Sequence, residues 1–313
     1  MRVALALVLF AALTHAETGE DAWLRYQHHE GKAAQVTKLG EGPELDSAAK
    51  EIARALTNES VVLGTVTECR RAYPKVNFPA DLQGDGYVIT TVKRTVIVAS
   101  PTTRGVLYGA FALIRRGGIG EETSNPAAVV RWVNQWDNLD GTIERGYGGR
   151  SNFFEGNHVL ADLTRAGEYA RLLASIGING CTVNNVNANP RALTTEFLPQ
   201  IARIADVFRP WGVRLSLSVD FASPKTIGGL DTFDPLDARV IAWWQAKADE
   251  IYKLIPDFAG FVLKADSEGR VGPSTYGRTH AQAANLLANA VKPHGGIVIY
   301  RGFVYAIMWI GGI

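Results

Sequence analysis

Residues 258–273 read FAGFVLKADSEGRVGP, an apolar run followed at once by charged residues and a turn. The run FAGFVL has the length and content of a buried strand. If the backbone stays extended beyond it, alternate residues share one face, so we expect Lys264, Asp266 and Glu268 to point the same way. Packing alone gives no reason for such a cluster. The stretch therefore predicts a buried strand with a site at its carboxyl end.

Four other apolar runs have the same character, namely VVRWVNQW, INGCTVN, VRLSLSV and GIVIYR. Helical patterns lie between the runs, in EYARLLASI, LPQIARIADVF, ARVIAWWQAKADEIYKLI and AQAANLLANAV. Continuous apolar strands that alternate with helices indicate parallel β/α units. Each strand also runs into polar or turn-forming sequence, and in a (β/α)₈ barrel these carboxyl ends form the active-site face.

A doubly wound open sheet is the rival architecture, but no GxGxxG turn follows any of these strands. The barrel is therefore favoured. Only five such units fit before residue 313, whereas closure takes eight strands. We predict an α/β chain in which residues 127–313 form an incomplete (β/α)₈ TIM barrel with about five of its eight units.

A smaller α/β domain is predicted for residues 17–120. ELDSAAKEIARAL and TTRGVLYGAFALIRR have helical periodicity, whereas VVLGTV and VIVAS are strand-like. The segment GGIGEETSNP, residues 117–126, is rich in Gly, Glu, Ser and Pro and is interpreted as a linker.

Composition sets further limits. The chain has 47% apolar and 20% charged residues and a formal charge of +1, so no nucleic-acid or membrane partner is predicted. Residues 1–16 have the charged, apolar and small-residue segments of a signal peptide, which predicts secretion, extracellular or periplasmic. Cys69 and Cys181 fall in different predicted domains and are expected to be buried thiols, not a disulfide.

Long strings of this sequence resemble the α-glucuronidases of glycoside hydrolase family 67, which are xylan-debranching enzymes. They include WVNQWDNLDGTIERGYGGRS, RPWGVRLSLSVDF, GGLDTFDPLD, GGIVIYRGFVY and the stretch quoted first, and the resemblance runs from about Asp21 to Tyr305. It implies an N-terminal α/β domain, a catalytic barrel and a C-terminal helical region. It also implies hydrolysis of α-1,2-linked glucuronic acid, or its 4-O-methyl form, from xylooligosaccharides with inversion.

The resemblance also bears on ligands. The implied partners are oligosaccharides derived from glucuronoxylan. No cofactor and no metal are expected, because HxxxH and CxxC spacings are absent from the sequence. Whether the whole enzyme forms a homodimer stays open.

Three residues carry the chemistry that the resemblance implies. Glu268 occupies the position of the general acid, the group that protonates the leaving oxygen in an inverting glycosidase. Lys264 and Arg301 match basic residues that bind the uronic carboxylate, a role suited to an ammonium and a planar guanidinium. Viewed singly, Glu268 could equally be a surface glutamate, Lys264 a solvated strand end and Arg301 an ion-pair partner of an acid.

Three more residues are candidates for substrate binding. Trp136 matches an aromatic residue that flanks the sugar, although barrel core is nearly as good an interpretation. Asp266 lies between Lys264 and Glu268, and Asn184 follows the second barrel strand. Asn and Asp in loops are more often turn formers than ligands of sugar hydroxyls.

The cluster has a predicted electrostatic behaviour. Lys264 should lower the pKa of Glu268, which opposes an acid role, whereas Asp266 should raise it. A uronate carboxylate that neutralises Lys264 and Arg301 would then make Glu268 easier to keep protonated. In the family, the acids assigned as base lie on later strands, beyond the position that corresponds to residue 313. No residue is therefore assigned as base, and activity of this chain stays open.

Two alternatives remain at this stage. The chain could be a non-catalytic carbohydrate-binding remnant that keeps the uronate-binding cations without the base. It could also be another barrel glycosidase, such as a hexosaminidase, although the adjacent Asp-Glu pair expected there is missing from KADSEG.

Overall fold

The computed structural model describes residues 31–301, which form two five-stranded β-sheets with helices packed against them and one two-stranded sheet. The first sheet has the strand order β1-β2-β4-β3-β5. Its strands are β1 (Gln35–Leu39), β2 (Ser60–Thr65), β3 (Tyr87–Val92), β4 (Thr95–Ser100) and β5 (Glu122–Ser124). Strands β1, β2 and β4 are parallel, whereas β3 is antiparallel to both of its neighbours.

Three helices accompany this sheet: α1 (Pro43–Ala55), α2 (Val66–Ala72) and α3 (Thr103–Arg115). Helix α2 begins with a capping box, in which the backbone N–H of Thr65 donates to Glu68 at 2.9 Å and the hydroxyl of Thr65 accepts from the Glu68 N–H. Helices α1 and α3 bury their apolar sides with the sheet in one core. The helices and strands predicted for this part of the chain are all present.

The segment predicted as a linker, residues 117–126, is only partly one. It contains β5, which pairs with β3 and completes the edge of the first sheet. A run rich in Gly, Ser and Pro favours a loop, but three residues within it are enough for an edge strand when a neighbour supplies the hydrogen bonds.

The second sheet is entirely parallel and has the order β12-β11-β10-β9-β6. Its strands are β6 (Trp132–Asn134), β9 (Gly180–Thr182), β10 (Arg214–Val219), β11 (Gly260–Lys264) and β12 (Ile297–Arg301), and a hairpin of β7 (Phe154–Glu155) and β8 (His158–Val159) lies in the first connection. The helices are α4 (Thr164–Ser175), α5 (Leu198–Phe208), α6 (Ser223–Thr226), α7 (Ala238–Leu254) and α8 (His280–Val291). The prediction of five parallel units of an incomplete barrel is confirmed.

Side chains alternate across this sheet, as the period of a strand requires. On β10, Leu215, Leu217 and Val219 belong to the large core that the helices cover. Ser216 and Ser218 lie on the opposite face, which is the inner face of the half-barrel. Inner-face residues at the carboxyl ends of the strands can therefore meet above the sheet.

Contacts between the two parts of the chain are direct. The guanidinium of Arg171 on α4 donates to both carboxylate oxygens of Glu51 on α1, at 2.7 and 2.9 Å, and both residues are 4% exposed. The hydroxyl of Tyr108 on α3 donates to the carbonyl of Ile178 at 3.1 Å. A buried fork of this kind fixes how α1 and α4 face each other.

Both cysteines are buried free thiols, as predicted, and burial raises the pKa of Cys69 to about 12. The predicted signal peptide, residues 1–16, lies outside the described residues. Within residues 31–301, none of the helices combines the length and the apolar content that crossing a bilayer requires.

Candidate active site

Two cations lie side by side at the carboxyl ends of neighbouring strands. Lys264 is the last residue of β11 and Arg301 the last residue of β12, and the two are register partners. Directly paired positions in a sheet lie on the same face. Because their chain neighbours Leu263 and Tyr300 pack into the core with the helices, both cations project over the inner face.

Lys264 is a buried ammonium with defined partners. The residue is 3% exposed, and its Nζ donates to Oδ1 of Asn187 at 2.8 Å and to Oε2 of Glu268. Buried charges are stable only when they are paired or hydrogen-bonded. The sequence-based alternative of a solvated strand end is therefore wrong for Lys264.

Glu268 reaches Lys264 through a turn and not through an extended strand. Strand β11 ends at Lys264, and both Asp266 and Glu268 have positive φ, at 50° and 49°. This conformation is uncommon for residues other than glycine, and such strain concentrates at functional sites. The side chain of Glu268 is 44% exposed, so it contacts the buried ammonium from the open side.

Asp266 does not join this pair, which corrects the expectation that the three side chains share a face. Its carboxylate accepts hydrogen bonds from the backbone N–H of Ser274, at 3.0 Å, and from the Ser274 hydroxyl. The carboxyl group of Asp266 packs tightly against the backbone of Gly272. A side chain at that position would not fit, because its Cβ would lie only 2.5 Å from Cγ of Asp266. The physical reason for the error is that alternation of side chains requires an extended backbone, which ends at Lys264.

Arg301 lies over the ring of Trp136, with 5.0 Å between the guanidinium carbon and the ring centroid. Trp136 follows β6, and β6 and β12 are the two outer strands of the described sheet. The five strands therefore curl far enough to bring their opposite edges into contact. The Trp136 ring and the Arg301 guanidinium therefore lie together at the carboxyl ends of the strands. Both residues were predicted to bind substrate.

Arg145 is a third cation at the same place. Its guanidinium lies 3.9 Å from Oε1 of Glu268 and 3.5 Å from Oε1 of Glu144, and its side chain is exposed. Arg145 was not among the predicted site residues, because charged loop residues are commonly turn formers or solvated charges. Nothing in the local sequence pattern indicates that the loop after β6, which carries Arg145, reaches across to the end of β11.

The cations control the protonation of Glu268. The hydrogen bond and the charge of Lys264 hold the pKa of Glu268 below its ordinary value, with smaller contributions from Arg145 and Arg301 in the same direction. The predicted effect of Lys264 is confirmed. The predicted opposing effect of Asp266 is not found, because that carboxylate binds Ser274.

Asn184 is buried and its amide is already engaged with β10. Its Nδ2 donates to the carbonyl of Ser218 at 2.9 Å, and its Oδ1 accepts from the Ser218 N–H at 2.7 Å. The residue therefore joins the ends of β9 and β10. A role for Asn184 in substrate contact stays a prediction.

Sequence reasoning missed Asn187 and Arg270. Asn187 accepts from Lys264 through its side chain, and its carbonyl accepts from the Arg270 guanidinium at 2.6 Å. The loop after β11 is thereby fastened to the loop after β9. The only signal in the sequence was the run of asparagines in NNVNAN, which is equally typical of an ordinary turn.

Within residues 31–301, no group of three or more His, Cys, Asp or Glu side chains is arranged to hold a metal ion. The described site offers the Glu268 carboxyl group next to Lys264 and Arg145, with Glu144 also beside Arg145. Arg301 and the Trp136 ring lie close by. Such a site can hold an anion and place a proton donor beside it.

Comparisons with known proteins identify the family of the chain. The model of the glycosyl hydrolase family 67 N-terminus matches residues 22–113, and that of the family 67 middle domain matches residues 118–310. Alpha-glucuronidase A of Emericella nidulans is 45% identical over 96% of this chain, and the alpha-glucuronidase of Hypocrea jecorina is 43% identical over 96%. The chain spans 40% and 41% of the length of these two relatives.

Solved structures share the fold at much lower identity. The protein CpGH84B has a TM-score of 0.54 at 14% identity, over 84% of this chain and 44% of its own. The family GH115 4-O-methyl-alpha-glucuronidase BtGH115A, described as specific for decorated arabinogalactans, has a TM-score of 0.54 at 12% identity, over 85% and 39%. These similarities support the architecture alone. The family models and the curated relatives together establish that this chain belongs to glycoside hydrolase family 67.

Proposed function

We propose that this chain carries the uronate-binding and acid-donating residues of an α-glucuronidase site, acting on glucuronic acid or its 4-O-methyl form linked α-1,2 to xylooligosaccharides, with inversion. The observation that carries the proposal is the contact of Glu268 with buried Lys264, beside Arg301 and Arg145. A carboxyl group alone would suit many reactions. Three cations around it favour a substrate that brings its own carboxylate.

The proposed sequence of events follows from the charges. In the free protein Glu268 is paired with Lys264 and is therefore ionised, which is the wrong state for a proton donor. A uronate carboxylate that binds Lys264 and Arg301 competes for that ammonium and weakens its pull on Glu268. The pKa of Glu268 then rises, so that Glu268 takes up a proton and can pass it to the glycosidic oxygen.

Release of the acidic sugar tests the proposal. Incubation of the chain with an aldouronic oligosaccharide, followed by chromatography, is expected to yield free glucuronic acid, and Glu268→Gln is the control, in which release should fall by about 10²- to 10⁴-fold. Binding of the aldouronic acid without release would favour the second candidate, a carbohydrate-binding protein that keeps the cations. Neither binding nor release would reject both.

Lys264→Met should reduce turnover as well as affinity. Removing a hydrogen-bonded charge is expected to weaken aldouronic acid binding by about 10- to 100-fold. It should also lower kcat, because a uronate no longer held by the ammonium is misplaced relative to the acid. Calorimetry and steady-state kinetics separate the two effects. An unchanged kcat would mean that Lys264 supplies affinity alone.

We further propose that the protein is secreted, on the basis of residues 1–16 alone. Mass spectrometry of the protein from its natural host is expected to find an N-terminus that begins after Ala16. An intact N-terminal methionine in that sample would contradict the proposal.

A further inference from the structure

Glu268, the candidate acid, lies in a tight turn made by residues 267–270. The backbone N–H of Arg270 donates to the carbonyl of Ser267 at 3.0 Å, and φ is 49° at Glu268 and 77° at Gly269. Positive φ at both central residues is the mark of a type I′ turn, in which Asn and Gly are favoured and Glu is rare. A residue in a strained conformation keeps it only when the surrounding structure holds it. The position of Glu268 therefore depends on contacts that the flanking residues make outside the turn.

The carboxyl side of the turn is held by Arg270. Its guanidinium donates to the carbonyls of Asn187 and Ala188, at 2.6 and 3.5 Å. Both carbonyls belong to the loop after β9, which lies two strands away from β11 in the sheet. This contact fixes one side of the turn, and the other side has to be held separately.

The amino side of the turn is held by Asp266. Its carboxylate accepts hydrogen bonds from the Ser274 N–H, at 3.0 Å, and from the Ser274 hydroxyl. The side chain of Asp266 is only 15% exposed, and Nε2 of His280 lies 4.0 Å from its Oδ2. Hydrogen bonds to an ionised carboxylate are stronger than those between neutral groups. Asp266 therefore joins the two ends of the loop that contains the turn.

Ser274 is a suitable anchor because its own segment is fixed. It lies in the 3₁₀ turn Pro273–Tyr276, where the hydroxyl of Tyr276 accepts from the Phe233 N–H at 3.1 Å. Helix α8 begins shortly after this turn with a capping box. The carboxylate of Asp266 is therefore attached to a well-bonded part of the barrel.

Lys264 does not hold Glu268 equally in the free and the liganded protein. In the free protein its ammonium contacts Glu268 directly. When a uronate carboxylate binds Lys264, as proposed above, that contact weakens, while Glu268 must still face the glycosidic oxygen. The side chain of Glu268 is substantially exposed, so packing does little to place it. The turn itself then has to supply the position of the acid.

We propose that Asp266 is a positioning residue for Glu268. By binding Ser274, Asp266 holds the turn so that Glu268 stays at Lys264 in the free protein and at the glycosidic oxygen once a uronate is bound. Asp266 acts through the backbone and takes no part in the proton transfer. The effect on catalysis rests on the proposed function, whereas the placement of Glu268 at Lys264 can be measured without any ligand.

The test measures the pKa of Glu268 in the free chain by NMR of ¹³C-labelled carboxyl groups, with Glu268→Gln to assign the signal. In wild-type protein Lys264 holds this pKa below its ordinary value. Asp266→Gly removes the carboxylate but suits the backbone, since Gly readily adopts a φ of 50°. The turn should then move away from Lys264, and the pKa of Glu268 should rise towards its ordinary value.

Two further variants separate position from charge. Loss of the negative charge of Asp266 by itself would lower the pKa of Glu268, so a rise reports movement of the turn. Asp266→Asn loses the same charge but keeps an acceptor oxygen and the tolerance of positive φ, and it should keep the pKa of Glu268 low. Ser274→Ala leaves Asp266 intact and removes one of its two donors, so a smaller rise is expected.

Release and binding give the catalytic measurement. Asp266→Gly should lower release of glucuronic acid from an aldouronic oligosaccharide by about 10- to 100-fold, because a small displacement of a reacting group is costly. Binding of glucuronic acid in calorimetry should not change, because Lys264 and Arg301 lie on strands β11 and β12. Asp249→Asn is the matched control. This exposed acid pairs with His294 before the start of β12, and its loss should change neither quantity.

Three results would overturn the positioning role. They are a pKa of Glu268 that stays low or falls in Asp266→Gly, an Asp266→Asn variant that matches Asp266→Gly, and a loss of glucuronic acid binding as large as the loss of release. An ordinary pKa of Glu268 in wild-type protein would overturn it as well. Absence of release by wild-type protein, with the pattern of pKa values intact, would reject the proposed function and leave the positioning of Glu268 standing.

Discussion

Glu268→Gln is expected to lower the release of glucuronic acid by about 10²- to 10⁴-fold, the usual contribution of a general acid. Gln has nearly the same shape but cannot donate the proton that the leaving oxygen requires. Affinity for glucuronic acid should be retained or improved, because Lys264 loses its carboxylate partner and is available to the ligand. Rates should be measured on this chain and, at the aligned glutamate, on the longer alpha-glucuronidase A of Emericella nidulans.

The same variant tests the electrostatic mechanism without any need for turnover. Because Lys264 holds the pKa of Glu268 low in the free protein, a ligand that engages Lys264 should raise that pKa and cause proton uptake. Calorimetry at mildly acidic pH in two buffers of different ionisation enthalpy measures this uptake. Glu268→Gln should abolish it. Equal proton uptake in the variant and the wild type would show that Glu268 is not the group that responds.

Glu51→Ala is expected to reduce the free energy of unfolding by about 3–5 kcal/mol, the usual cost of breaking a buried ion pair. The substitution removes the carboxylate that faces the buried guanidinium of Arg171, and water cannot readily replace it at 4% exposure. Urea unfolding followed by tryptophan fluorescence and circular dichroism gives the measurement.

Asp46→Ala is the control for this effect. Asp46 lies on α1 like Glu51, but its contact with Lys38 is exposed to solvent, so the free energy of unfolding should not change measurably. In contrast, Glu51→Leu combined with Arg171→Leu should recover much of the stability, because it removes both members of the buried pair. A small effect of Glu51→Ala would show that the ion pair does not hold α1 against α4.

The local pattern was sufficient for the five parallel strands and the four long helices of the barrel, but it did not predict the β7–β8 hairpin or the short helix α6. Each of the five strands is a short apolar run bounded by turn residues, and each long helix shows clear periodicity, so nearest neighbours in the sequence determine them. The local pattern did not predict β5, a three-residue strand in a Gly- and Ser-rich segment. That segment is a strand only because it pairs with β3.

For the candidate site, the sequence identified most of the residues but did not predict how they are arranged in space. The family resemblance identified Lys264, Glu268, Arg301 and Trp136, and the structure brings these four together. Strand alternation had added Asp266, whose carboxylate in fact binds Ser274. Neither the pattern nor the resemblance indicated Asn187, which accepts a hydrogen bond from Lys264. These two errors share a cause, since both depend on where loops fold after the strands end.

By itself, the sequence determined that this chain alternates strands with helices and that its strands end in polar residues, because those properties depend on local hydrophobic periodicity. The tertiary structure alone decided that Arg301 on one edge strand covers Trp136 beyond the other, and that Glu268 turns back to Lys264. The first depends on twist accumulated over five strands, and the second on positive φ angles in a single loop. Neither is encoded in a local pattern of apolar and polar residues.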